Sequence, residues 1–516
     1  MSTAKRLISG SAASWVQIAV NMASQMVLVP IYLSYWSAET YGVWLAVQGV
    51  MSVLSMLDAG HQNFLAFEFL RLGVDQRSVV AKYLWSGVAT ALMICLFQIV
   101  LIVIFVFTGT LSFLLGDSAV ADSTLLYQAI VALLIQGVTW MLFASLPGLI
   151  GRALAGFGYF PRIAWWGVVA ATTTALSPLI AVVMGADLIV TSAVLAIATG
   201  FYSIFIYIDF YKIIKKEDIE FVKPSLSTGY SNFKKSLPLL GKSLFENVRQ
   251  QGVRLILTPL SGPVGLVAFS TMRTGANVAL QGLNTIVNPL APDLMRFLHL
   301  RDQPRTESAF ATIWILLIAI MAPGVVVLQA FVEPLYLLWT QNKVSFNPLL
   351  FALLSMGVLV YAAVQPAMAV VIGNNLTKTQ LALTGLAAIV VFVVLIISVP
   401  LVGIVGAGAA LLLAEICAAI GYKIYAKKWL REHGLQWPSR PFQIAMAAVI
   451  IAAVSLGALI MLPEFKWILL PASMLLFAVN VMRYWKILPQ VAKQSAKAIL
   501  LRLPVVGKIV TRILNK

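Results

Sequence analysis

The chain has 516 residues, 60% of them hydrophobic and 11% charged, with a mean hydropathy of +0.93 and a formal net charge of +17. Those values lie far from soluble globular composition and leave no room for a large aqueous domain. A span needs about 20 apolar residues to cross roughly 30 Å of hydrocarbon, and runs of that kind fill more than half of the sequence, so a polytopic all-α membrane protein is expected.

Fourteen spans are predicted, near 9–35, 41–70, 83–108, 124–151, 161–184, 188–212, 237–260, 264–295, 307–331, 346–373, 379–400, 404–427, 441–463 and 466–487. Of the 36 Lys and Arg residues, 31 fall in the odd-numbered ends and loops between these spans, and only Lys343 and Lys466 fall in the others. Basic loops resist translocation, so this alternation predicts that both termini are cytoplasmic. It also separates Arg249, Arg254 and Arg273, which lie inside spans. Because the positive charge follows topology and forms no contiguous patch, no nucleic-acid partner is expected. The segment after Lys5 and Arg6 is long and polar-striped, unlike the short core of a cleaved leader.

The basic linker 213–236 follows span six, and a second one, from Lys427 to Arg440, follows span twelve. The order is therefore six, six and two. An N-terminal lobe is expected over 1–220, a C-terminal lobe over 221–435, and spans thirteen and fourteen with a basic tail over 436–516. Spans six and twelve both end in Tyr and Lys, and spans one and seven both carry an outer proline, Pro30 and Pro259. This weak parallel repeat fits a transporter plan, although a channel or a membrane enzyme could share it. The tail 488–516 carries six basic residues, and no acid follows Glu464. A surface helix on anionic inner-leaflet lipid is expected there.

Four spans carry polar stripes at 100° per residue: Ser14, Gln17, Asn21, Ser24 and Gln25; Ser55, Asp58, His61, Gln62 and Glu68; Asn247, Gln250, Gln251 and Arg254; and Arg273, Asn277, Gln281, Asn284 and Asn288. They occupy the first two spans of each half. A central hydrophilic cavity is the reading they suggest, with simple helix-to-helix hydrogen bonding as the alternative.

Arg254 and Arg273 make such a cavity basic, which points to an anionic substrate because the guanidinium fork suits phosphate or carboxylate. Arg249 lies about 140° from Arg254 on the helical wheel and is a secondary candidate. Asp58 and His61 could carry a proton or an ion, and Asp58 could equally be the structural counter-ion of an arginine. Glu68 and Arg71 are expected to pair at the boundary, and His299 and His433 to be solvated in cytoplasmic loops. Cys95 and Cys417 lie mid-span, without disulfide or metal spacing. No nucleotide, dinucleotide or metalloprotease motif occurs, so no cofactor and no metal are expected.

The stretch from Pro30 to Trp44 with Leu57-Asp58-Ala-Gly60, the stretch from Leu257 to Gly265 with Ala268-Phe-Ser-Thr and Asn288-Pro-Leu-Ala-Pro292, and the run from Leu401 to Gly408 resemble the bacterial polysaccharide flippases. These belong to the MOP exporter superfamily, together with MATE drug exporters and lipid II flippases. The resemblance spans the whole chain. It implies two six-helix lobes in a V shape plus two C-terminal helices, working by alternating access in the inner membrane. It also implies a polyprenyl-diphosphate-linked oligosaccharide as cargo, H+ or Na+ as coupling ion, and polysaccharide polymerase machinery as a partner. A cation-coupled drug exporter and a membrane polysaccharide polymerase or ligase stay open. The first is expected to have an acidic cavity, and the second a large external loop with reactive residues.

Overall fold

The computed structural model describes residues 3–116, 122–247, 251–374, 376–488 and 493. Arg249, Gln250 and nearly all of the basic tail 488–516 lie outside them, as do the side chains of Asn284 and Asn288. Among the described residues every regular element is helical: α1 (Thr3–Tyr35), α2 (Ala38–Leu72), α3 (Arg77–Phe107), α4 (Thr110–Leu115), α5 (Ser123–Trp140), α6 (Leu146–Leu154), α7 (Phe160–Val183), α8 (Leu188–Lys216), α9 (Leu226–Asn247), α10 (Val253–His299), α11 (Gln303–Leu316), α12 (Ala322–Trp339), α13 (Pro348–Gly373), α14 (Thr377–Val402), α15 (Val405–Glu432), α16 (Ser439–Met461) and α17 (Lys466–Ile487).

Twelve stretches are long and apolar enough to cross a membrane, two fewer than the fourteen spans expected, and chain breaks account for the difference. The 61-residue stretch Ser123–Val183 bends at Gly158, where φ is +87°, and so holds two spans. Span seven is α9 plus the first arm of α10, and it ends at Gly262 with φ of +70°. Its α9 part contains Lys234, Lys235, Lys242 and Glu246, too polar to register as apolar. The helix also begins at Leu226, inside the segment expected to be linker. His433 departs from expectation too: it is half-buried, stacked on Trp429 at 3.9 Å between ring centroids.

The chain divides into two compact units. The first comprises 1–271 with 337–345 and 395–404; the second comprises the remainder.

In the first unit α2 is the buried axis, packed by α3, α5, α6 and α9. Three of its glycines admit close neighbours. A methyl group at Gly42 would lie 2.3 Å from the Pro263 carbonyl oxygen, one at Gly49 3.2 Å from Leu255, and one at Gly60 2.7 Å from the Leu240 backbone. Positions 42, 49 and 60 thus oppose 263, 255 and 240, an antiparallel seam. All three glycines fall within about 20° of one line on the helix. Below the seam, Leu65, Phe69, Leu84, Leu149, Leu154 and Phe210 form the inner apolar core.

The C-terminal end of α1 is held by 337–345. Pro30 has no N–H and leaves the Met26 carbonyl without its helical donor; the Trp339 indole supplies one at 2.6 Å. The Lys343 amine donates to the Leu33 and Trp36 carbonyls at the helix C-terminus, where a cation is favoured.

In the second unit α13 packs against α11, α15 and α16. The fully buried Trp314 donates to the Ala363 carbonyl at 2.8 Å and stands against Phe310, Trp437 and Phe442.

Gly42→Ala is expected to lower the thermal unfolding midpoint of the purified protein, at an overpacking cost of about 1–3 kcal/mol. Gly241→Ala, where a methyl group meets open space, is the control and is expected to be neutral or to stabilise by up to about 1 kcal/mol. Equal midpoints for the two variants would show that the seam is not close-packed.

Candidate functional site

The polar stripe of α2 lies away from its glycine line. At 100° per residue Asp58 sits about 160° round the helix from Gly42, and His61 about 100°. Both side chains are fully buried. A carboxylate and an imidazole so placed need partners, since an uncompensated polar group in an apolar interior is costly.

Asp58 receives part of what it needs. One carboxylate oxygen accepts from the Gln62 amide nitrogen, which also donates to the Ser145 carbonyl at 3.1 Å. The Gln62 carbonyl oxygen accepts from Arg152, whose other terminal nitrogen donates to Asn63 at 3.2 Å. Gly148 makes room for this relay, because a methyl group there would lie 2.9 Å from the Gln62 oxygen. The second oxygen of Asp58 and both ring nitrogens of His61 have no hydrogen-bond partner among the described residues. The His61 ring stands 6.2 Å from that of Phe233 on α9.

A local helix defect lies beside Gln62. Residues Met141–Ser145 form a π-turn between α5 and α6, and Pro147 lacks the N–H that the Phe143 carbonyl would use. The freed carbonyls take side-chain donors: Tyr207 for Leu142, Ser203 for Phe143 at 3.5 Å, and Gln62 for Ser145. Such bulges recur at functional sites.

A second group of expected residues lies along the glycine seam. Asn247 accepts from Ser52 at 3.2 Å. The Cβ of Arg254 packs beside Gly49, and Tyr41 stands within electrostatic reach of its guanidinium. Arg254 is half-buried; its Nε and the side-chain oxygen of Gln251 are buried atoms with no hydrogen-bond partner among the described residues. Arg249 lies outside the described residues.

The remaining stripes are distributed differently. Asn21 and Gln25 on α1 are exposed, and Ser24 between them turns its hydroxyl back to the Val20 carbonyl at 2.5 Å. Arg273, Asn277 and Gln281 follow i, i+4, i+8 spacing on α10 in the second unit. All three are half-buried, and Arg273 and Gln281 are engaged by partners.

Two pairings were not visible from spacing. Arg152, assigned to a cytoplasmic loop by its position between spans, is part-buried in the Asp58 relay. Arg162, likewise assigned to a loop, grips Asp209 through two nitrogens, with Trp166 adding a third donor at 2.9 Å. The expected Glu68–Arg71 pair is present at 2.6 Å. Among the described residues no group of His, Cys, Asp or Glu could hold a metal ion.

No family model matches the chain, and no curated protein matches it significantly. Solved structures do match. The lipid II flippase MurJ in an inward closed conformation aligns with a TM-score of 0.67 at 13% identity, over 93% of this chain and 99% of that one. A multidrug resistance MATE family transporter of the MOP superfamily, inward-facing, aligns with a TM-score of 0.61 at 12% identity, over 81% and 95%. A MATE structure in the bent conformation gives 0.53 at 13% identity, over 83% and 96%. At such identities the likeness establishes the fold, which is shared with MATE and MurJ structures.

Arg152→Met strands the Gln62 and Asn63 oxygens and removes the charge facing Asp58, and is expected to cost roughly 3–5 kcal/mol of stability. Asp58→Asn in the same chain should recover part of it, with a coupling of about 0.5–3 kcal/mol in a double-mutant cycle. Additive midpoint shifts would mean that the two charges do not interact.

Proposed function

We propose that the protein is a flippase that moves a polyprenyl-diphosphate-linked oligosaccharide from the inner to the outer leaflet of the bacterial inner membrane by alternating access. The observation that carries this reading is Arg254. It is a half-buried arginine in a spanning segment, packed against a glycine, with a buried nitrogen that no described group satisfies. An intramembrane cation is expensive unless function retains it, and a guanidinium binds phosphate through paired donors. Arg273, with Asn277 and Gln281, is the corresponding candidate of the second unit, and Arg249, Asn247, Gln251, Asn21 and Gln25 complete the polar set offered to the headgroup. The MurJ likeness supports the lipid-linked class of cargo.

In this reading Asp58 and His61 form the ion-coupling site. The second carboxylate oxygen and whichever imidazole nitrogen carries no proton are acceptors for a proton or a small cation, and the Arg152 relay keeps the site from collapsing into a closed ion pair. Polysaccharide polymerase machinery is the downstream partner, and the basic tail is assigned to anionic inner-leaflet lipid.

A second reading, a cation-coupled drug exporter, is favoured by the buried Asp58 and by the MATE likeness. The two differ in which residues meet the cargo: Arg254 and Arg273 for an anionic headgroup, Asp58 for a cationic drug.

Arg254→Ala and Arg273→Ala are each expected to abolish surface glycan export at unchanged protein level. Losing one partner of a buried charge contact costs about 2–5 kcal/mol, at least roughly 30-fold in affinity. Normal surface polysaccharide in both variants would contradict the proposal. Asp58→Asn is expected to leave downhill flipping intact while removing its dependence on a proton or sodium gradient; gradient-driven transport at the original rate would sink the coupling assignment.

A further inference from the structure

The second unit contains a cavity of about 590 Å³ bordered by α13, α15 and α16. It arises because α13 packs against both α15 and α16 while those two have no comparable packing with each other. Small residues widen the gap: Ala352, Ala419, Ala453 and Gly457 all line it, and a methyl group built on Gly457 meets nothing within 4 Å.

The cavity is long and almost wholly apolar. Its lining on α16 runs from Phe442 to Ile460, about 27 Å at 1.5 Å per residue, close to the roughly 30 Å of a bilayer's hydrocarbon. Of all the lining side chains only Lys423 is polar. Its amine stands 4.5 Å from the centroid of the Phe442 ring at one end, and among the described residues no carboxylate pairs with it. Lys427, Lys428 and Arg440 follow at the same end, all exposed.

We propose that this cavity holds one acyl chain of a resident anionic phospholipid of the inner leaflet, with its phosphodiester on Lys423. The shape excludes a compact polar ligand, whose buried hydrogen-bonding groups would find a single partner and lose the rest to desolvation. A chain-like apolar body with one charged end leaves nothing unsatisfied. A phosphodiester carries one negative charge and a single lysine answers it, whereas a diphosphate headgroup calls for the several donors that an arginine or a cluster provides. The basic end lies on the side that the loop charges assign to the cytoplasm, where anionic lipid attracts Lys and Arg. The site is separate from the residues assigned to cargo, and its test is independent of transport.

The test uses the purified full-length protein, delipidated in detergent, and a phosphatidylglycerol bearing a photoactivatable acyl chain, with the matching phosphatidylcholine as comparison. Phosphatidylglycerol is expected to raise the unfolding temperature, as any ligand of the native state must, and to label peptides of α13, α15 and α16. Lys423→Ala should reduce the preference for phosphatidylglycerol over phosphatidylcholine by about fivefold, the worth of one lysine at an anionic surface. Gly457→Leu, whose Cβ meets nothing within 4 Å and whose side chain narrows the cavity, should reduce labelling and the lipid-dependent temperature shift while keeping the lipid-free unfolding temperature. Equal response to the two lipids in the unaltered protein would overturn the headgroup assignment. Unchanged labelling in Gly457→Leu would overturn the cavity as the site. Displacement of the label by a polyprenyl phosphate at concentrations where added phosphatidylglycerol has no effect would overturn the choice of occupant.

Discussion

The seam between α2 and the chain from 240 to 263 is the constraint on which the first unit depends. Three glycines on one line of α2 bring its backbone against Leu240, Leu255 and Pro263. In hydrocarbon the hydrophobic effect between helices is absent, so association relies on close packing and internal hydrogen bonds. Small residues at the closest points supply that packing and leave the opposite face of α2 to do other work. Asp58 and Gln62 occupy that face, while Arg254 is carried along the seam itself. One helix thereby positions both the buried carboxylate and the partly bare arginine, and a shift in its rotation would misplace both.

The basic residues in and beside the helices are handled in two ways. Arg152 and Arg162 are absorbed, the first by Gln62, Asn63 and the field of Asp58, the second by Asp209. The two lysines that break the topological pattern are likewise accounted for. Lys343 caps the end of α1, and Lys466 lies over the rings of Phe331 and Trp467 at 5.7 and 5.2 Å. Arg254 differs, because its buried Nε has no hydrogen-bond partner among the described residues. A group that is costly to bury and that the described residues leave incompletely satisfied is what motivates the proposal of a ligand there.

Much of this was legible beforehand, and the limits have physical causes. Helical class follows from the length of the apolar runs, since that reflects the solvent more than the tertiary structure. The stripe containing Asp58, His61 and Gln62 was readable because 100° per residue fixes which side chains share a face, and all three are buried. The same rule placed Asn21 and Gln25 on a polar stripe and both prove exposed, because periodicity gives a face and not its surroundings. Arg152 was counted with the loops because span ends blur by several residues; the signal for its burial was Pro147, which breaks the helical ladder one turn earlier. The glycine line at 42, 49 and 60 was present in the spacing as well. It announces a close neighbour without naming which one. The slot at Lys423 had no sequence signature, since it is made by helices diverging around small residues that read as ordinary apolar content.

The proposed cargo is anionic and lipid-linked, with Arg254 and Arg273 proposed to meet its headgroup. The most direct measurement is flipping of a fluorescent polyprenyl-diphosphate oligosaccharide in liposomes containing the full-length protein, followed by quenching of the outer leaflet, with and without an imposed proton or sodium gradient. Protein-dependent flipping that the gradient accelerates, and that excess unlabelled diphosphate lipid suppresses while cationic drugs do not, is the predicted result. Absence of flipping in liposomes that do transport a cationic drug would contradict it.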